Sequence, residues 1–546
     1  MKKYHNLLLL VLFLCFSLKG FSQRYTSEIF SYLNIEVESD VLYGQNYERV
    51  SLISPNVEMK ELRMDIYQPK QSVDTVSERP LMIYLHTGNF LNPPQNGAPT
   101  GLKTDLTAVE ICRQFARRGY VAASIYYRLN WNPATTNADT RKTTLLQAVF
   151  RAIIDAKTAV RYFRKSHAEN NNPYNIDPNK IMLFGEGSGG YVALAHATLD
   201  KQSEIELTKF LDAGGDPVLE TSVIGGFDGF GGSENYDNHV GYSADVQLIV
   251  NIGGSLADTS WMEPGDPPMV AFQCVRDPFA PYLDGTVVVP TTNENVVDVQ
   301  GAGVFMKKAV AVGNNAVFDT ANLNDPITQI ARSRYDQTVD HWGNAPDFEI
   351  SVAGDEGLMP FLLPLAPSGA QFDNQSSPWQ FWDPNSDLAN KPSTEPGLTT
   401  HESALQSNPD MSREKALRYI DTIQWYLQPR AVLALDLDTT TTYKDSLAGI
   451  PDPTTVVGLK DIPLKEVNMR LYPNPASETV VLQLNDNELK MESFEIYNLN
   501  GQIVAQDRII DPNNVKINRN GLSKGIYFIN VRYDDKRSSV HKVIFE

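Results

Sequence analysis

The chain has 546 residues, with 47 Lys and Arg against 66 Asp and Glu and a net charge of −19. One hydrophobic core does not grow to that length, so a large domain and a smaller one are expected. The acid is spread along the chain rather than gathered into a tail, which argues against nucleic acid and anionic membrane surfaces as partners.

In chain order, Lys2 and Lys3 precede the apolar run Leu7 to Leu18, and Gly20-Phe21-Ser22 offers the small-x-small pattern of a signal peptide cleaved after Ser22. The run falls short of the roughly 20 apolar residues of a membrane span, so the mature chain is expected to carry no transmembrane segment. Cys15 follows Leu14 rather than a small residue, which does not suit a lipoprotein. Cys112 and Cys274 then remain, either as one disulfide or as two buried thiols.

Residues 58–67 alternate like a strand, and Pro80 introduces the apolar run LMIYL, which suits a strand buried on both faces. A helical period over 106–118 is followed by the apolar strand YVAASIYY, a long helix pattern over 145–164, and a further strand KIMLF. Strands are also expected at 246–252 and 269–275, and a helix at 412–427. This alternation predicts an α/β domain with a mostly parallel sheet over 23–437, interrupted by a Pro-, Asn- and Trp-rich insertion at about 310–400. Residues 438–469 are Thr- and Pro-rich without periodicity and read as a linker, and 470–546 carry the short alternating stretches of a small β-sandwich.

The chemistry turns on FGEGSGGY, residues 184–191. It contains G-x-G-x-x-G on Gly185, Gly187 and Gly190, with Asp212 further on, a pattern that in a cytoplasmic protein would suggest a dinucleotide. Export speaks against that ligand, and no cofactor or metal is expected; DGFGGSENYDN at 228–238 is a weak hint of calcium.

The last block, from LYPNPASETVVLQL through IYNLNGQIV to GLSKGIYFINVRY, resembles the type A C-terminal sorting domain read by the type IX secretion system of Bacteroidetes. That resemblance implies contact with the secretion machinery, passage across the outer membrane, and a secreted or cell-surface protein. LMIYLHTGNF, GYVAASIYYRL, residues 145–190 and PPMVAFQCVRDPFAPY resemble, in that order, segments of the α/β-hydrolase carboxylesterase and lipase family.

In that family the nucleophile sits in G-x-S-x-G, on a turn so sharp that the residues two before and two after must be small. Laid against the usual G-E-S-A-G-G without a gap, FGEGSGG puts Gly187 where the serine belongs, so the nucleophile position is vacated. Ser188 falls one place later, either as an alternative nucleophile or as a helix cap. The resemblance further implies an oxyanion loop at His86-Thr87-Gly88-Asn89-Phe90, with Thr87 and Gly88 as donors, and a triad acid at Asp277. The family's Ser, Asp, His order leaves His341 and His401 as bases, with His401 preferred; His167 and His196 come too early and His541 lies in the tail. Three functions follow: a non-catalytic or weakly active esterase-like protein holding a small ester or carbohydrate-like ligand, an active ester hydrolase using Ser188, and a surface adhesion module. Ser377-Pro378-Trp379-Gln380-Phe381-Trp382 offers aromatic side chains for either a ligand or packing.

Overall fold

The computed structural model describes residues 24–54, 56–289, 294–340, 349–364, 375–437, 469–484, 490–497, 503–509, 511–519, 521–534 and 538–545. The expected signal segment, His341, and the expected linker apart from Met469 lie outside them. The chain divides into two compact units, one of Met1–Phe30 with Ile35–Ile450 and the other of Ser31–Asn34 with Pro451–Glu546.

The larger unit is built on an eight-stranded sheet. Its strands are β1 (Ile35–Arg49), β2 (Val57–Pro69), β3 (Arg79–Leu85), β4 (Val121–Ile125), β5 (Ile176–Glu186), β6 (Leu248–Ile252), β7 (Met269–Cys274) and, later in the chain, β12 (Leu358–Phe361). They lie in the order β1-β2-β4-β3-β5-β6-β7-β12, with the pairs β1–β2 and β2–β4 antiparallel and all other neighbours parallel. The apolar run in β3 serves both faces: Leu81, Ile83 and Leu85 join one core cluster, and Met82 and Tyr84 the other. Each such side chain taken from water contributes about 1.5–3 kcal/mol, which is why central strands read as unbroken hydrophobic runs.

Helix α1 (Leu106–Arg117) places Ala108, Ile111, Cys112, Phe115 and Ala116 on the Met82 and Tyr84 face, a three-and-four spacing that makes one apolar stripe. Helices α2 (Ala138–Glu169) and α3 (Ser188–Thr198) cover the opposite face. The long helix begins earlier than its apolar period, because Asn137 caps it by accepting from the Thr140 N–H at 2.8 Å.

Past β7 the chain forms a hairpin, β8 (Asp284–Val288) and β9 (Asn295–Gln300), then α4 (Ala302–Ala311), α5 (Ala316–Ala321) and α6 (Pro326–Arg334). A short pair, β10 (Thr338–Asp340) and β11 (Glu349–Ser351), leads to β12, which joins β7 in parallel. Within the stretch expected as an insertion, β12 is thus a strand of the central sheet. Helices α7 (Thr400–Leu405) and α8 (Arg413–Ala434) follow. The last helix continues through Pro429, where a proline would ordinarily stop it, because Leu427, Ala431 and Leu435 are packed in the core. Trp379, Phe381 and Trp382 are buried, so this aromatic run packs rather than offering exposed surface. Cys112 and Cys274 are both buried and free, which settles the pairing left open by the sequence.

The smaller unit has two antiparallel sheets. One contains β13 (Met469–Tyr472), β14 (Thr479–Leu484) and β17 (Asn514–Asn518), and the other β16 (Ile503–Arg508), β15 (Met491–Tyr497), β18 (Gly525–Tyr533) and β19 (Ser538–Phe545). Val480, Leu482, Ile496, Ile529, Val531 and Val543 are among the side chains that form its core. Among the described residues no helix is long and apolar enough to cross a membrane.

Candidate functional site

The parallel register brings the C-terminal ends of the central strands together. Leu85 pairs with Gly185, and Glu186 with Ile252, so the loop after β3, the turn after β5 and the loop after β6 meet at one edge. Ligand sites of open α/β sheets form there.

The turn between β5 and α3 is centred on Gly187, at φ 52° and ψ −116°, a left-handed conformation that costs little only for glycine. Its N–H donates to the Ile252 carbonyl at 2.8 Å. A Cβ on Gly185 would overlap the Gly189 carbonyl, and one on Gly189 would overlap the Leu85 carbonyl, so the crowded positions lie two before and two after residue 187. A Cβ built on Gly187 would come within 3.1 Å of Thr87 Cβ and closer still to Thr87 Oγ1. The threonine side chain thus occupies the space that any side chain at 187 would need.

Ser188 is the first helical residue and does not cap α3; the cap position is Gly187. The Ser188 hydroxyl is buried and lies 3.2 Å from the Tyr127 hydroxyl. Tyr127 donates its own proton to the His86 carbonyl at 2.6 Å, so Ser188 donates to the phenol oxygen. Burial holds that phenol well above its ordinary pKa, in the neutral form. Such a phenol removes no proton from the serine at neutral pH, and a hydroxyl without a base stays a weak nucleophile.

The loop after β3 is wound tightly: Gly88, Asn89 and Phe90 all have positive φ, at 126°, 54° and 55°. It is clamped by Trp131 Nε1 donating to the Asn89 carbonyl at 2.8 Å and by the Asn130 N–H on the Phe90 carbonyl at 2.9 Å. Thr87 and Gly88, expected as oxyanion donors, are on this loop, and both line cavities described below. His86 is fully buried and stacked on Tyr127 at 4.4 Å between ring centroids. Its Nδ1 lies 2.6 Å from the Thr87 carbonyl, and burial lowers its pKa to about 4.

Asp277, three residues beyond β7, accepts from the N–H groups of Phe279 (2.9 Å) and Ala280 (3.1 Å), both on Oδ1. Burial raises its pKa to about 7, against the lowering effect of those two N–H groups. Asp277 lines a cavity of about 150 Å³ together with Thr87, Gly187, Ser188 and Ser377. His401 is not part of that lining. Its Nδ1 accepts from Trp382 Nε1 at 3.0 Å, and the two rings meet edge to face. The structure therefore brings Ser188 and Asp277 to one cavity and leaves His401 outside it.

Ser377, singled out above only as the start of an aromatic run, lines the same cavity as Asp277 from the segment after β12. Glu186 holds this segment in place: its carboxylate accepts from Tyr84 Oη at 2.5 Å, Trp379 Nε1 at 3.0 Å and Gln380 Nε2 at 2.9 Å. No motif marks a serine for that place; only the buried acid next to the turn and the tryptophan two residues on could have signalled the contact.

The rest of the first cavity is mostly apolar, walled by residues such as Phe90, Trp131, Phe150, Phe210, Trp261 and Val299. A second cavity of about 120 Å³ shares Thr87, Asn89, Phe279 and Ser377 with it and is lined largely by polar residues, Asn96, Gln380, Thr394 and Asn408 among them. Among the described residues, neither lining contains a lysine, arginine or histidine. Among the described residues no group of three or more His, Cys, Asp or Glu is placed to hold a metal ion, and Asp228 and Asp237 accept from backbone N–H groups of their own loop. Asp212, which a dinucleotide would need for its ribose, instead closes a turn by accepting from the Gly214 and Asp216 N–H groups.

These features define an esterase-like α/β-hydrolase domain followed by a type IX secretion sorting domain. Residues 64–287 match the BD-FAE family, and residues 470–546 match the secretion system C-terminal sorting domain. The sorting domain marks the protein as secreted or displayed at the cell surface through the type IX system. Among solved structures the chain is similar to Thermogutta terrifontis esterase 2 in its native form, at 18% identity over 46% of this chain and 74% of that one, with a TM-score of 0.27. The form of that esterase phosphorylated by paraoxon aligns at 19% identity over 46% of this chain and 75% of that one, with a TM-score of 0.28. MGS-M1, an α/β-hydrolase enzyme from a Medee basin deep-sea metagenome library, aligns at 15% identity over 44% of this chain and 72% of that one, with a TM-score of 0.23. A search of curated proteins found no match.

Proposed function

We propose that the larger domain is an esterase-fold binding protein, which holds a ligand at the turn after β5 without hydrolysing it. The observation that carries this reading is Thr87 Oγ1, which fills the space a nucleophile's side chain at 187 would occupy. Ester hydrolysis by this fold needs a hydroxyl at the turn, a base within hydrogen-bond reach, and an acid that orients the base. Here the turn carries glycine at 187, and the described lining of the cavity holds an acid, Asp277, and no histidine, with His341 lying outside the described residues.

What remains suits retention of a small ester or carbohydrate-like ligand. An apolar part would fill the cavity of about 150 Å³, and a hydroxyl-rich part would meet the amide and hydroxyl side chains of its polar neighbour. In this reading a signal peptide over 1–22 directs export, and a linker over 438–469 joins the binding domain to the sorting domain.

The test is turnover of a panel of short-chain aryl esters by the unaltered protein and by Ser188→Ala. Both are expected to show background rates only. Enzyme-like turnover that falls about 10³-fold in a folded Ser188→Ala protein would make Ser188 the nucleophile and overturn the proposal.

A further inference from the structure

We infer that the apolar cavity selects its ligand by charge, taking a compact apolar body that bears a primary ammonium group and placing that cation against Asp277. The inference rests on the binding reading above and names the class of ligand.

Among the described residues of the cavity's lining, Asp277 is an acid without a counterion. Asp277 is 8% exposed, and its two hydrogen bonds both fall on Oδ1, which leaves Oδ2 with no described partner. In a working esterase site such an acid would face a histidine. Here the described residues of the lining supply none, and no other cationic side chain among them replaces it. A carboxylate enclosed by apolar walls gains most from a partner that brings positive charge and N–H donors together. A carboxylate ligand meets the opposite situation, because no cation among the described residues of either lining neutralises it and Asp277 and Glu395 are acids already present.

The remaining ionisable groups that face Asp277 do not change this balance. Tyr191 and Cys274 both feel its charge, and burial holds both in their neutral forms. The size of the ligand follows from the volume. An apolar cavity of about 150 Å³ accommodates a body the size of one benzene ring, so a phenylalkyl or short alkyl group fits.

The experiment is calorimetric titration of the full chain at pH 8 and low salt with three probes of one shape: 2-phenylethylammonium, 2-phenylethanol and 3-phenylpropanoate. The ammonium should bind at least about tenfold more tightly than the carboxylate. Asp277→Asn keeps the Oδ1 acceptor for the Phe279 and Ala280 N–H groups, so the loop should hold its shape. It should weaken the ammonium about tenfold and leave the alcohol within about twofold. Equal binding of ammonium and carboxylate, an ammonium affinity indifferent to Asp277→Asn, or no binding of any probe would each overturn the inference. Ester turnover is a separate readout: selective ammonium binding by a protein that also hydrolyses esters would leave the charge selectivity standing and overturn only the non-hydrolytic reading.

Discussion

Asp277 carries a consequence that can be measured without any ligand. Burial raises its pKa from 3.8 to about 7, so the folded protein holds this proton through a range in which the unfolded chain has lost it. The sign follows from linkage: the contribution to stability is complete below the unfolded value and is lost as pH rises through about 7. Asp277→Asn cannot titrate, and it should therefore gain in melting temperature relative to the unaltered protein between pH 4 and pH 8. A difference that stays flat across that interval would show that Asp277 is not held protonated. At the same scale, Gly187 and Thr87 form a pair. Serine at 187 would meet backbone strain of about 1–3 kcal/mol and, in addition, the threonine side chain. The vacancy at 187 can be read from the spacing of FGEGSGG. Its occupation by Thr87 cannot, because the two residues are 100 positions apart and meet only through the register of β3 and β5.

The element that ties the site together is the junction of β5 and α3 with the segment after β12. Three donors, Tyr84 Oη, Trp379 Nε1 and Gln380 Nε2, converge on the Glu186 carboxylate, which is 1% exposed. Glu186→Ala would leave all three without that acceptor, at about 1–3 kcal/mol for each that finds no other. The expected result is a fall of several degrees in melting temperature, with faster proteolysis near Trp379 than in the unaltered protein; an unchanged melt would contradict this account of the anchor. Elements were legible where burial is complete. β3 to β7 announce themselves as apolar runs because both faces of each strand are covered. β1 is not legible in the same way: it is largely uncovered, and two register shifts, between Glu38 and Val41 and between Leu42 and Gly44, break its alternation. β12 is four residues long and contains Pro360, so its place in the sheet comes from pairing with β7 rather than from local pattern. The histidine expected from chain order shows the same limit. Order along the sequence left His341 and His401 as candidates, but the packing of Trp382 holds the His401 ring away from Asp277's cavity.

For the whole molecule, the two units have separate tasks. The sorting domain over 470–546 has its own core and supplies the address, while the described residues that line the two cavities belong to the larger unit. Deleting 470–546 should therefore leave the larger unit folded and abolish passage across the outer membrane, with the truncated chain found in the periplasm of the native host. Display or release of the truncated chain at normal levels would contradict the assignment of the tail as the address.

The claim on which the account depends is that no activated hydroxyl stands at the turn after β5. A serine-directed organophosphate tests it most directly, since the reagent reports an activated nucleophile whatever the natural ligand. The unaltered protein, incubated with excess reagent and weighed intact by mass spectrometry, should keep its original mass. A stoichiometric adduct mapped to Ser188 or Thr87 would contradict the account.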